Sequence, residues 1–172
     1  IQLNNAVSYL TQKTIQENVS FTGIALHSGV NVDVCIKPAE PNFGIVFKRV
    51  DLDKNNLVYP NFMNVTNTSL NTTVENEFGV KVSTIEHLMG ALFGLGIDNA
   101  LIEINNEEVP ILDGSARLFI EKLISAKMKI SEVPIKIIKI KKEVKFSDGE
   151  RFISIKPSTL NLEIDFELKY NN

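Results

Sequence analysis

The sequence predicts an α+β fold, a two-layer sandwich in which a mostly antiparallel sheet packs on helices. Short stretches with the two-residue period of strands recur along the chain, whereas only 82–100 and 109–128 carry the helical period. Turn residues separate these stretches. With 172 residues, 44% of them hydrophobic, the chain can bury one substantial core and begin a second.

Residues 12–21 read as extended and end at Gly23. In VNVDVCIKP, Val30, Val32, Val34 and Ile36 alternate with Asn31, Asp33, Cys35 and Lys37 until Pro38 stops the strand. Further strands are expected at 44–51 and 68–76, joined by a polar, Asn-rich connection. VSTIEHLMGALFGLGIDNA, 82–100, opens with Ser83-x-x-Glu86, the capping-box pattern in which serine and glutamate satisfy each other's backbone amides. Ile85, Leu88, Met89 and Leu92 then form a core stripe, and a glycine stops the helix. ALIEINN, 100–106, is another strand. In EVPILDGSARLFIEKLISAKM, Asp113-Gly114 makes a structural turn and Ser115 an N-cap, and Ala116, Phe119, Ile120, Leu123 and Ile124 share one helical face.

Around 128–134 the helical period ends and Pro134 appears, after which strand-like stretches follow at 135–146, 151–156 and 160–169. This change divides the chain into a first α+β domain at 12–131 and the opening strands of a second, similar domain at 132–172. The last strand has no helix to cover its sheet, so the first domain is expected to be complete and the second truncated.

Composition excludes several function classes. A net charge of −3 argues against a general nucleic-acid binder. The lysines of 136–146 alternate with Ile138, Ile140 and Val144, the pattern of a strand with one solvated face, and no aromatic platform accompanies them. No apolar stretch approaches the roughly 20 residues of a membrane span, and the N-terminus has no basic region followed by an apolar block. No signal peptide or stable membrane insertion is therefore expected. A single cysteine, Cys35, cannot close an internal disulfide, which suits a reducing compartment, the cytoplasm.

The helix at 82–100 begins with an acid beside an imidazole, Glu86 and His87. His87 lies off the core stripe, and the residues stacked over it are Gly90, Ala91 and Gly94, where a solvent face normally carries Lys, Glu or Gln. Small residues there imply a closely packed neighbour. A helix N-terminus carries about half a positive charge, which favours a carboxylate and opposes protonation of histidine. Neutral imidazole is the metal-binding form, and an adjacent glutamate could serve as general base on a metal-bound water. The alternative is a capping glutamate beside a hydrogen-bonded structural histidine. A catalytic zinc usually takes three protein ligands. The chain has two histidines, His27 and His87, and no H-x-x-x-H or H-x-x-x-D spacing, so partners of His87 are expected beyond Asn172.

GIALHSG (23–29), GIVFKRVDL (44–52), VSTIEHLMGALFGLGIDNALIEI (82–104) and VPILDGSA (109–116) together resemble, in order and spacing, the UDP-3-O-acyl-N-acetylglucosamine deacetylase family, zinc amidohydrolases of lipid A biosynthesis. The resemblance covers nearly the whole chain from about Lys13, and the combination of motifs is what makes it specific. It implies a two-domain enzyme, each domain a sheet packed on helices, with the active site between them. It implies a Zn2+ cofactor, a UDP-acyl-sugar substrate, no nucleic-acid partner, and acetate as product. By position, His87 matches a zinc ligand and Glu86 the general base, while the remaining ligands belong to a later H-x-x-x-D motif and a further catalytic histidine lies later still. Thr68 matches the threonine that opens a substrate-facing strand, although Ser69 and Asn71 depart from the Met and Cys common there. His27 and Arg151 match basic positions of a diphosphate-binding patch. The chain alone, lacking those ligands, is expected to be inactive. The competing reading is a metal-free binding or scaffold domain of the same fold, and an RNA-binding module on the Lys139–Lys145 face is the weakest.

Overall fold

In the computed structural model, which describes residues 11–158 and 163–168, the chain divides between Ile135 and Lys136 into two units. The first unit opens with β1 (Thr11–Ile15), β2 (Val19–Ile24), β3 (Asn31–Pro38), β4 (Ile45–Arg49) and β5 (Leu57–Val58). A single 3-10 turn, Phe62–Asn64, leads to β6 (Val65–Asn67), β7 (Thr73–Glu75) and β8 (Lys81–Val82). Then come α1 (Glu86–Leu95), β9 (Ala100–Ile104), α2 (Arg117–Ser125) and β10 (Met128–Pro134).

One row of apolar side chains shows how the main sheet is specified. Its strand order is β2-β3-β9-β4-β5, and register places Val19 beside Ile36, Ile36 beside Ile102, Ile102 beside Phe47 and Phe47 beside Val58. All of these side chains are buried. Because side chains alternate along a strand, the neighbours of this row point the other way. There Glu103 bridges Lys37 at 2.7 Å and Lys48 at 3.6 Å. The helices therefore cover one face of the sheet. Leu88, Ala91 and Leu92 of α1 and Phe119 and Leu123 of α2 join the strands in one apolar cluster, with the Phe119 ring edge-on to Phe21 at 5.4 Å.

The pairing is antiparallel except between β4 and β9. Those two run parallel because the chain between them crosses over through α1. The expected α+β sandwich with a mostly antiparallel sheet is thus the observed architecture. The glycine stop is observed too: Gly96 takes the left-handed conformation (φ 67°) and its N–H returns to the Leu92 and Phe93 carbonyls. β10 closes the unit by pairing antiparallel with β1. No helix among the described residues is long and apolar enough to cross a membrane.

Several local expectations need correction. The strand expected at 68–76 is confined to β7, and 68–72 form a bend that lets β7 pair antiparallel with β6. Asn67 Oδ1 accepts the Ser69 N–H at 2.8 Å, and this local bond competes with a strand ladder. The second helix stops at Ser125, Ile124 is 58% exposed, and Met128 already belongs to β10. In the second unit, the strand expected at 135–146 is confined to β11 (Val144–Asp148), because only that part finds a partner, β12 (Arg151–Ile155). Gly149 (φ 59°) supplies the left-handed residue of their two-residue turn. Of the strand expected at 160–169, residues 163–168 are not in a strand and the rest lie outside the described residues.

Gly23 shows how tightly the segment after β9 lies on β2. A Cβ at this position would stand 2.9 Å from Leu112 Cδ2 and 3.0 Å from Pro110 Cβ. Leucine can swing away, but the proline ring cannot. Gly23→Ala is expected to destabilise the fold by about 1–3 kcal/mol, read as a lowered midpoint in urea unfolding. An unchanged midpoint would contradict the close approach.

Candidate active site

The path into α1 is fixed by bonds that the sequence pattern conceals. Ser83 donates its N–H to the Glu107 carbonyl at 2.7 Å and its hydroxyl to the same oxygen at 3.2 Å, while the Val109 N–H donates to the Ser83 carbonyl at 3.0 Å. Held in this bridge, Ser83 cannot cap the helix. The cap position is Ile85, with no side-chain bond, so the expected Ser83–Glu86 capping box does not form. Glu86 Oε1 instead accepts the Thr72 N–H, from the residue just before β7. Between Ser83 and Ile85, the buried Thr84 is left-handed (φ 55°), an uncommon conformation for a β-branched residue.

What compensates Thr84 is Glu108, which sequence reasoning missed. This carboxylate is 3% exposed. Its Oε1 accepts the His27 N–H at 2.9 Å and the Thr84 hydroxyl at 3.1 Å, and its Oε2 accepts the Ser28 N–H at 2.9 Å and the Ser28 hydroxyl at 2.8 Å. Burial pushes the Glu108 carboxyl up, but the bonds from His27, Ser28 and Thr84 outweigh it and hold the group below its ordinary value of 4.5. In the sequence Glu107-Glu108 looks like a solvated acidic pair. The available signal was its position, directly before the apolar Val109-Pro110.

Of the anticipated site residues, His27 is tied directly to this junction and Glu86 follows Thr84 by two residues. His27 lies in the turn between β2 and β3, its side chain exposed and its backbone tied through Glu108 to Thr84. Thr68 is exposed in the bend after β6. That bend is tied to α1 by Thr72 on Glu86 and to the residue before its cap by Asn71 Nδ2 donating to Thr84 Oγ1 at 3.1 Å. Glu86 is exposed and His87 half-buried. Arg151 belongs to the second unit, exposed on β12 opposite Asp148. Asp113 holds its turn, accepting the Ser115 N–H at 3.1 Å and hydroxyl at 2.9 Å and pairing with Arg117 at 3.1 Å. Ser115 Oγ in turn accepts the Arg117 N–H at the start of α2.

The close neighbour expected over His87 is not found among the described residues. Gly90 and Gly94 are open, with nothing within 4 Å of a Cβ at either, whereas Ala91 faces the core. Nor do the described residues make a metal centre by themselves. No group of three or more His, Cys, Asp or Glu side chains converges among them. His87 offers one imidazole, beside a carboxylate that has one oxygen engaged by Thr72.

The lowered acidity constant of Glu108 fixes the sign of a pH effect. Its stabilising contribution is full above the ordinary value of 4.5 and is lost as pH falls through the lower folded-state value. The stability difference between the protein and Glu108→Gln should be constant near neutrality and close below pH 4.5, measured by urea unfolding across pH. A difference that persists unchanged in acid would contradict an ionised Glu108.

Comparison with known proteins identifies the family. The family profile described as LpxC, UDP-3-O-acyl N-acetylglycosamine deacetylase, matches residues 12–172. The UDP-3-O-acyl-N-acetylglucosamine deacetylase of Haemophilus ducreyi is 39% identical over 163 residues, covering 95% of this chain and 53% of its own length. The protein of that name from Shewanella frigidimarina is 42% identical over 161 residues, covering 94% of this chain and 52% of its own. The chain thus spans about half the length of the curated relatives it matches. The profile, running through the LHSG loop, the Glu86–His87 helix tip and the DGSA turn, makes the chain a member of the UDP-3-O-acyl-N-acetylglucosamine deacetylase family.

Proposed function

We propose that the protein containing this chain is a zinc-dependent amidohydrolase that removes the N-acetyl group of UDP-3-O-acyl-N-acetylglucosamine, releasing acetate, in lipid A biosynthesis. The observation that carries this reading is the tip of α1, where Glu86 and His87 stand side by side and the Thr72 N–H orients the glutamate. His87 would be one ligand of the zinc. Its other ligands would come from the part of such proteins that this chain does not span.

Zinc, when bound, polarises a carbonyl and lowers the pKa of its water to about 7. Glu86 is the general base. Its Oε1 is taken by Thr72, which leaves Oε2 to accept a proton from the attacking water. Water oxygen adds to the acetamide carbon, the carbon–nitrogen bond breaks, and the proton passes to the departing amine, giving acetate and a free amino sugar. His27 and Arg151 would be hydrogen-bonding contacts of the diphosphate, and Thr68 would present its hydroxyl to the substrate. Free Cys35 suits the reducing cytoplasm as the site of the reaction.

In the full-length protein, Glu86→Ala should lower kcat by about 10²–10⁴-fold with zinc still bound, whereas His87→Ala should lose zinc, both read by acetate release and metal analysis. Full activity with full zinc content in both variants would overturn the reading and favour a metal-free binding domain.

A further inference from the structure

Glu108 lies outside the residues proposed to touch substrate or metal, yet it is the buried charge on which their supports converge. Its Oε1 is shared between the His27 N–H and the Thr84 hydroxyl, at 2.9 and 3.1 Å, so two segments 57 positions apart (84 − 27) meet at one oxygen atom. Oε2 is filled by the Ser28 N–H and hydroxyl, so no acceptor position is left for water to exchange into easily. Hydrogen bonds to an ionised acceptor are shorter and about twice as strong as neutral ones. The Thr84 hydroxyl is also used twice, donating to Glu108 and accepting from Asn71, which fixes its rotamer from both sides.

Thr84 precedes the catalytic pair by two residues and takes a left-handed backbone. Any relaxation of Thr84 therefore re-aims the first turn of α1. On the other side, the turn carrying His27 is closed by the Ala25 N–H on the Val30 carbonyl at 2.9 Å, and Gly29 (φ 70°) lets the chain reverse. The turn is closed on itself, and Glu108 ties it to Thr84 just ahead of the helix tip.

We infer that Glu108 is a positioning residue which sets the separation between the reacting end of the site, at Glu86 and His87, and the diphosphate end, at His27. The inference rests on the function proposed above. A substrate held at both ends senses that separation, and a misplacement of about 1 Å can cost about 100-fold in rate. Glutamine cannot replace Glu108, because its amide group would point N–H against N–H or O–H donors on one side. Aspartate is a methylene too short to reach both segments.

The test uses the full-length protein with Glu108→Gln, Thr84→Val and Thr84→Ser, assayed for kcat and KM on UDP-3-O-acyl-N-acetylglucosamine, zinc content, UDP affinity, and amide exchange at His27 and Ser28. Thr84→Val keeps shape but breaks the link, and should lower kcat about 10-fold or more with zinc content and UDP affinity unchanged. Thr84→Ser keeps the hydroxyl and should restore kcat to within about two-fold. Glu108→Gln should lower kcat and also speed exchange at both amides by about 10-fold or more. If Thr84→Val does not fold, the near-isosteric Glu108→Gln carries the test. Unchanged kcat and exchange in Glu108→Gln, alongside an inactive Glu86→Ala, would overturn this inference while leaving the proposed reaction intact. Full activity in Glu86→Ala would overturn both.

Discussion

A carboxylate 3% exposed to solvent must be surrounded by donors or the fold pays several kilocalories for an uncompensated charge, and Glu108 is surrounded completely. The constraint acts at a distance. His27 and Ser28 come from the turn after β2, Thr84 from the entrance to α1, and Glu108 itself from the chain after β9. None of these segments is regular structure. Their relative placement is set by this ion together with the short backbone bridges Ala25–Pro110 and Ser83–Glu108. A left-handed, β-branched residue costs on the order of 1–3 kcal/mol, and Thr84 sustains that conformation where its hydroxyl binds Glu108.

The sheet makes the junction possible. The apolar row from Val19 to Val58 fixes the register of the strands, and so fixes where β2, β3 and β9 end. Gly23 then lets Pro110 and Leu112 lie against β2, and the Ile111 N–H reaches the Ile24 carbonyl at 3.0 Å. Arg49 ties the opposite side. Buried at the end of β4, it donates to the Lys81 carbonyl at 3.0 Å and pairs with Asp51 at 2.6 Å, which pins β8 just ahead of Thr84. The Arg49 pair holds the Asp51 carboxyl below its usual range, its hydrogen bonds outweighing the upward push of burial.

How far the sequence could be read follows from the range of the interactions. β3 and β9 were legible because burial on one face writes a two-residue alternation, and α1 was legible as a stripe with a glycine stop. β10 was not, because Met128–Pro134 becomes a strand only by pairing with β1, at the far end of the unit. The Lys-rich stretch before Val144 shows the reverse, since its alternation finds no partner strand among the described residues. At the site, Glu86 and His87 were visible as a pair. The serine three residues before Glu86 suggested a local cap, yet Ser83 is claimed by Glu107 and Glu86 by Thr72, both bonds from chain brought in by the fold. Glu108 has only a faint local signature, its place before Val109-Pro110, because every one of its partners is distant in sequence.

Glu86, aimed by Thr72 rather than by a cap within its own helix, stands preorganised beside His87 at the helix tip. Structure determination of the full-length protein carrying Glu86→Gln, with UDP-3-O-acyl-N-acetylglucosamine bound, tests this most directly. The expected result is the acetamide at the tip of α1, with the side chain at position 86 within about 2.6–3.2 Å of the attacking water and the diphosphate beside His27. An acetamide bound away from Glu86 and His87 would contradict it.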